Sequence, residues 1–551
     1  MQYLQKSSWP RYAPLLILIL LDSWLLYCFS IVQEYPARSG GLSLWIPLAA
    51  ALLAGSYFFS TSPGVFFNRK SAEELIGNDS EEETVQNLHV LLKVLAGLTF
   101  LAAGFIWMLL MYRLDGFYIT PDSYSYARVA ENSIFSSTFW SGERPFTLPL
   151  LFKLFNIDTA TLDDPAFIVS VRAKQFTQFQ ALLSLTSFTL LGMCATTFMR
   201  RQPLKALILT LSVAFAMTID VAQWNRMLLS ESTSLSLSAL MLSAWLLSIH
   251  AFQNWKTSRP FIRRIAPAAI ISTTILFSFT RDVNAYFVGM SAAILLLSLL
   301  LPAVRKHPAA KTLFIIGLSA AITAAVQINS MDRNERWLNP LSNVISKRIL
   351  TSESARDFFI AHGAPFDEIP AERLPADCIE DCGSMHRFLR VDPDGQILLD
   401  WYRAEGKAVY LRYLLHDPIR ILSQPLRQLA SMLSPDSTEY RLRVYPDPAW
   451  IGVVRQILLP RSTALILVWS AALLLAAAWR LSRGGNEHLL IPSIVILISF
   501  GLMFIIWFGD GIELERHATQ ISLQLKESIW QASIFLIDCL PQGFLHRRMD
   551  E

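Results

Sequence analysis

His488 to Phe508 reads HLLIPSIVILISFGLMFIIWF, 21 residues without a single Asp, Glu, Lys or Arg. At about 1.5 Å of helical rise per residue, such a run spans the roughly 30 Å hydrocarbon core of a bilayer. It gives way at once to GDGIELERH (Gly509 to His517), so a polar rim adjoins an apolar wall. Working outward, apolar blocks of similar length lie near 13–32, 42–60, 89–112, 177–199, 204–223, 229–251, 265–280, 284–304, 311–329 and 461–480. With 53% apolar and 17% charged residues, the chain belongs to the integral membrane class. The expected fold is an all-α polytopic membrane protein with 11 or 12 transmembrane helices. The count turns on 518–540, which carries Lys526 and Glu527, both costly at a bilayer centre. That block is either an amphipathic helix lying on the membrane or a twelfth span. We favour the span, which makes His546, Arg547 and Arg548 cytoplasmic.

Orientation follows from the excess of Lys and Arg in cytoplasmic loops. Lys6 and Arg11, Arg69 and Lys70, then Arg200, Arg201 and Lys205 fall on one side. Lys256 to Arg264, Arg305 to Lys311, and Arg480 with Arg483 join them. The N-terminus is thus expected in the cytoplasm of a cell with this protein in its cytoplasmic (inner) membrane. Its first apolar block lacks a small-residue cleavage site and reads as a retained signal-anchor. Alternation then puts the loop after 112, the segment 330–460 and GDGIELERH outside the cytoplasm. The net charge of +3 reflects this topology, so no nucleic-acid partner is expected.

Five regions emerge from this pattern: a two-span accessory hairpin (1–67), an acidic cytoplasmic linker (68–88), a transmembrane core (89–329) with an outer loop (113–175) where chemistry is expected, an extracytoplasmic cap (330–460) and C-terminal spans (461–551). The cap is too long for an unstructured connection. It has helical spacing at Glu353 to His362 and Ile397 to Leu415, and turn signals at Asp392 to Gly395, Asp417-Pro418 and Tyr445 to Pro448. Cys378 and Cys382 form CIEDC there. An oxidising compartment favours a local disulfide over two free thiols, or over a metal site for which His386 alone offers too few ligands.

The outer loop reads MYRLDGFYITPDSYSYARVAENSIFSSTFWSGERPFTLPLLFKLF from Met111 to Phe155. Asp122 there is either a plain helix N-cap or a general base for an acceptor hydroxyl or amine. Glu231, in WNRMLLSESTSLSLSAL from Trp224, is a site carboxylate or the buried partner of Arg226 or another cation. Arg281 and Asp282, in FTRDVNAYF, sit between two spans at an outer edge, where a locally paired interfacial anchor is the plain reading. In FGDGIELERHATQ, Arg516 and His517 suit an anionic lipid phosphate, and Asp510 and Glu513 suit an acceptor site or a cation; a solvated helix start accounts for the same residues.

DSYSYARVAE, followed by ERPFTLPLLF, resembles the first outer loop of the type C glycosyltransferases (GT-C fold), especially the branch of protein O-mannosyltransferases and lipid A aminoarabinose transferases. Asp122 and Tyr126-Ala127 match its Asp-Glu-x-x-Tyr-Ala pattern, and Arg144-Pro145 partly matches the Lys-Pro-Pro or His-Pro of the family. Ser123 replaces the usual Glu and Phe146 a second Pro. The Leu-Ser-Glu ending at Glu231 adds to the likeness. The resemblance implies an inverting transferase that moves a sugar from a polyprenyl-phosphate donor to an extracytoplasmic acceptor. Asp122 would be catalytic, Arg144, Arg226, Glu231, Arg281, Arg516 and His517 would bind donor phosphate or substrate, and Tyr126, Asp510 and Glu513 would line the acceptor pocket. The resemblance makes no cofactor certain and leaves a divalent cation open, because some GT-C enzymes use one and others do not.

No phosphate-binding Gly-rich loop, His-Glu-x-x-His or Gly-x-Ser-x-Gly occurs, which argues against a nucleotide-driven pump, a zincin and an α/β-hydrolase. The alternative from another class is a transporter or flippase of lipid-linked saccharides. Transporters place binding groups near the midplane and often carry internal repeats, whereas here the polar groups share one face. A catalytically silent envelope assembly factor is the third reading.

Overall fold

The computed structural model describes residues 117–253, 260–370, 384–434, 449–484, 486–511 and 514–540, with 97, 101–102, 104–106, 108, 255 and 373–374. Among these residues there is no strand, only an isolated parallel bridge between Tyr118 and Met227. The principal helices are α1 (Pro121–Glu131), α2 (Thr147–Leu154), α3 (Val171–Thr196), α4 (Gln202–Met217), α5 (Ser230–Gln253) and α6 (Pro260–Ser278), followed by α7 (Asp282–Ser298), α8 (Ala310–Arg333), α9 (Ala449–Leu458), α10 (Thr463–Ser482), α11 (Leu490–Gly509) and α12 (Leu514–Asp538). The chain is an all-α polytopic membrane protein: five helices are long and apolar enough to cross a membrane, six if one bent pair counts as a single span. That pair corrects the expected straight span at 204–223. α4 ends at Thr218, whose hydroxyl donates to the Phe215 carbonyl (2.7 Å), and the chain bends by 48° into Ile219–Arg226.

α3 packs against α4 and α5, α5 against α6, α7 against α8, and α11 against α12. The α3–α4 crossing is close: a Cβ on Gly192 would stand 3.0 Å from Leu209 Cα. α12 touches α4, α5, α10 and α11, so 518–540 packs within the helix bundle. Lys526, Glu527, Gln520, Gln524 and Gln531 are all buried against protein.

Contacts define the two ends of the bundle. At one, the Asp538 carboxylate accepts from the backbone N–H groups of Arg200 and Arg201 (2.8 and 3.0 Å), and Gln253 donates to Glu487 (2.6 Å). At the other, the starts of α5, α7 and α12 meet the end of α11. Over that end lies a helical unit with its own core, including Leu338, Ile345, Phe359, Phe366, Leu398 and Tyr402. Asp392 and Asp417 each cap a helix there, Pro393–Trp401 and Pro418–Arg427, accepting from Asp394 and Arg420 N–H (both 3.0 Å). The expected turns at DPDG and Asp417-Pro418 are therefore helix starts, because an Asp before Pro supplies both a cap and a preset first residue. Cys378, Cys382, Glu513, Tyr445 to Pro448, the N-terminal hairpin and the acidic linker lie outside the described residues.

Candidate active site

α1 is not capped by Asp122. Thr120 is the N-cap and Pro121 the first helical residue; Thr120 N–H donates to Ser123 Oγ (3.0 Å), which itself donates to the Leu228 carbonyl (3.0 Å). Ser123, standing where the resembled family has Glu, thus ties α1 to the segment entering α5. Tyr118 N–H to Arg226 O (2.8 Å) and Leu228 N–H to Tyr118 O (3.2 Å) fix the same register. With capping done elsewhere, the Asp122 side chain is free to project into the bundle's end.

There it meets two guanidinium groups. Arg144 donates to Oδ1 and Arg516 to Oδ2 (2.9 Å). Arg144 also donates to Ser125 Oγ (2.6 Å) and lies over the Tyr126 ring, 5.1 Å from its centroid. Its loop is held by Thr147, which donates from N–H to Phe279 O (3.1 Å) and from its hydroxyl to Leu276 O (2.9 Å). Arg516 Nε continues to Glu231 Oε1 (2.7 Å), and Arg281 stands 3.6 Å from that same oxygen. Arg281 also donates to His517 Nδ1 (3.0 Å), which puts the ring proton on Nε2, facing Asp510 at 3.3 Å. Three guanidinium groups thus surround two carboxylates. Burial pushes the Asp122 carboxyl up, but Arg144 and Arg516 outweigh it and hold the group well below the usual carboxylate range.

Beneath the charges sits a closed triangle: Asn284 donates to Ser234 Oγ (2.8 Å), Ser234 to Gln520 Oε1 (2.5 Å), and Gln520 to Asn284 Oδ1 (2.8 Å). It clamps α5, α7 and α12 together. Two atoms above it are buried without a hydrogen-bond partner, Arg281 Nη1 and Glu231 Oε2. One is a cationic donor and the other an anionic acceptor.

Most expected site residues converge: Asp122, Arg144, Glu231, Arg281, Arg516, His517 and Asp510 form one chain of contacts. Arg226 contributes its backbone carbonyl, and Glu231 pairs with Arg516 and Arg281 instead. Tyr126 is buried, with its hydroxyl donating to Ser230 Oγ (3.1 Å) and its ring beneath Arg144. Asp282, next to Arg281 in FTRDVNAYF, joins them 3.1 Å from Arg336, and Asn343, donating to Asp510 (3.1 Å), joins from a segment that carried no motif. Among the described residues no group of three or more His, Cys, Asp or Glu is arranged to hold a metal ion. No family model, curated protein or solved structure matches this chain.

The rim beside Asp510 is tightly fitted. Arg348 donates to the carbonyls of Trp507 and Asp510, the latter at 2.8 Å, and a Cβ on Gly511 would fall 2.4 Å from the Asn343 carbonyl. Gly511→Ala should therefore push the helical unit off the end of α11 and destabilise by about 1–3 kcal/mol. Thermal unfolding in detergent checks this; an unchanged midpoint would mean that this contact relaxes freely.

Proposed function

We propose that the chain is an inverting GT-C-type glycosyltransferase of the cytoplasmic membrane. It would have 11 or 12 spans and an extracytoplasmic site, and transfer a sugar from polyprenyl phosphate to an outer acceptor. The observation that carries this reading is the guanidinium cluster at Asp122 and Glu231, in which Arg281 Nη1 and Glu231 Oε2 are both buried and unpartnered. Buried polar groups are normally paired. A ligand bearing a phosphate oxygen for Arg281 and a hydroxyl for Glu231 would fill both, and a sugar phosphate has both.

The acceptor X–H attacks the anomeric carbon from the face opposite the phosphate. Its proton passes to Asp122, the C–O bond to phosphate breaks, and the electron pair leaves on the phosphate oxygen. Products are the glycosylated acceptor and polyprenyl phosphate. Arg281 and Arg516 stabilise the charge on that leaving group. Donor binding also activates the base: a phosphate that draws Arg144 or Arg516 away from Asp122 removes the charges that depress its basicity.

Incubating the purified chain in liposomes with radiolabelled polyprenyl-phosphate sugar and envelope extract tests the reading. Label in the acceptor fraction supports it; label only translocated across the bilayer establishes a carrier, and neither result leaves a scaffold. The pH profile is a second check. Asp122 is ionised well below its ordinary value, so the acid limb of kcat/KM, which reports the free protein, should fall below about pH 4. Its ion pairs likewise stabilise the fold at neutral pH and are lost only as pH falls through that depressed value. An acid limb near pH 6–7 would take the base role away from Asp122.

A further inference from the structure

A second polar cavity, of about 500 Å³, opens between α9, α10, α12 and the bend after α4. None of its lining residues belongs to the Asp122 network, so its chemistry is independent of the transferase reading. Its charged groups are Asp220, Arg455, Arg461 and Lys526. Asp220 and Arg455 neutralise one another through two hydrogen bonds, from Nε to Oδ2 (2.5 Å) and Nη2 to Oδ1 (2.7 Å). That leaves two cations. Arg461 is exposed at the rim, while Lys526 is only 4% exposed and has no hydrogen-bond or ion-pair partner among the described residues. A buried ammonium in that state carries a desolvation cost that an anion in the cavity would offset. The neighbouring hydroxyls of Thr519 and Ser522 already donate to the Glu515 and Leu433 carbonyls (2.8 and 2.6 Å), so an incoming anion falls to the two cations.

The surroundings select the kind of anion. Leu465 and Leu523 line the apolar wall, and Val453, Ile457 and Val468 continue it outward along α9 and α10 as exposed apolar surface. α10 is one of the five helices able to cross a membrane, and only 22% of its most apolar window is buried, so its flank faces lipid. A charged recess at the foot of a lipid-facing apolar slope fits an amphiphile better than a free ion. We propose that this cavity binds the phosphate headgroup of a membrane lipid, held by Lys526 and Arg461, with the lipid chain lying along α9 and α10.

The purified full chain in neutral detergent would be titrated with dioctanoyl phosphatidate, and in parallel with dioctanoyl phosphatidylcholine and inorganic phosphate. Phosphatidate is expected to bind at least about tenfold more tightly than either, with Lys526→Met and Arg461→Gln each weakening it about tenfold. Arg281→Gln should leave its affinity unchanged. Equal binding of phosphatidylcholine overturns the phosphate assignment, and equal binding of inorganic phosphate overturns the lipid assignment. Loss in Arg281→Gln rather than in Lys526→Met would move the ligand to the Asp122 cluster and sink the second site. Arg461 is exposed, so its variant should fold even if Lys526→Met does not, and an unchanged affinity there also refutes the proposal.

Discussion

The Asp122→Asn protein is expected to insert and fold as the parent does yet transfer sugar about 100- to 10,000-fold more slowly, the usual contribution of general base catalysis. Asparagine keeps the shape and one acceptor oxygen for Arg144 or Arg516, while its amide N–H faces the other guanidinium, so a modest fall in melting temperature accompanies the slower rate. It removes the negative charge and, with it, any capacity to take the acceptor's proton. Side-chain exposure of 32% also leaves the uncharged residue with access to water, which limits the structural penalty. Initial rates with labelled polyprenyl-phosphate sugar, alongside a melting curve, decide the matter. Parent-like transfer by a normally folded Asn variant would take the base role away from Asp122.

Glu231→Ala is expected to be the most destabilising single change at the site, by about 3–5 kcal/mol, because removing one partner of a buried ion pair strands the other. Glu231 is 1% exposed and stands 2.7 Å from Arg516 and 3.6 Å from Arg281. Without it, Arg281 loses its Glu231 partner and Arg516 keeps only Asp122 of its two carboxylates here. Adding Arg516→Met should recover part of the loss by restoring the charge balance. The midpoints of thermal unfolding for the parent, single and double variants test this directly. A single variant that melts with the parent would show that water already solvates these arginines.

Much of the helical layout was legible in the residues. The block read at 488–508 became α11, and those at 229–251, 311–329 and 461–480 became α5, α8 and α10. Run length carries this information because bilayer thickness sets it. The break at Thr218 escaped because the residues on both sides are apolar, so composition is the same for a straight and a bent helix. The site was legible to the extent that unusual polar residues sat at the ends of apolar runs, as Glu231, Arg281 and Arg516 do. Their pairing was not. Arg226, five positions from Glu231, was the obvious local partner, yet the carboxylate pairs with Arg516, 285 positions away. Asn343 and Arg348 carried no signal at all, since they lie in a segment of ordinary mixed composition.

By itself, the sequence determined that this is a helical membrane protein with its unusual polar residues gathered at helix ends, since that arises from the energetic penalty of polar groups in hydrocarbon. Tertiary structure alone decided that Thr120 rather than Asp122 caps α1, that Tyr126 supports Arg144, and that Lys526 and Glu527 turn inward. Those outcomes depend on ångström-scale packing between helices hundreds of positions apart. No local pattern encodes which distant charge will arrive within hydrogen-bond reach.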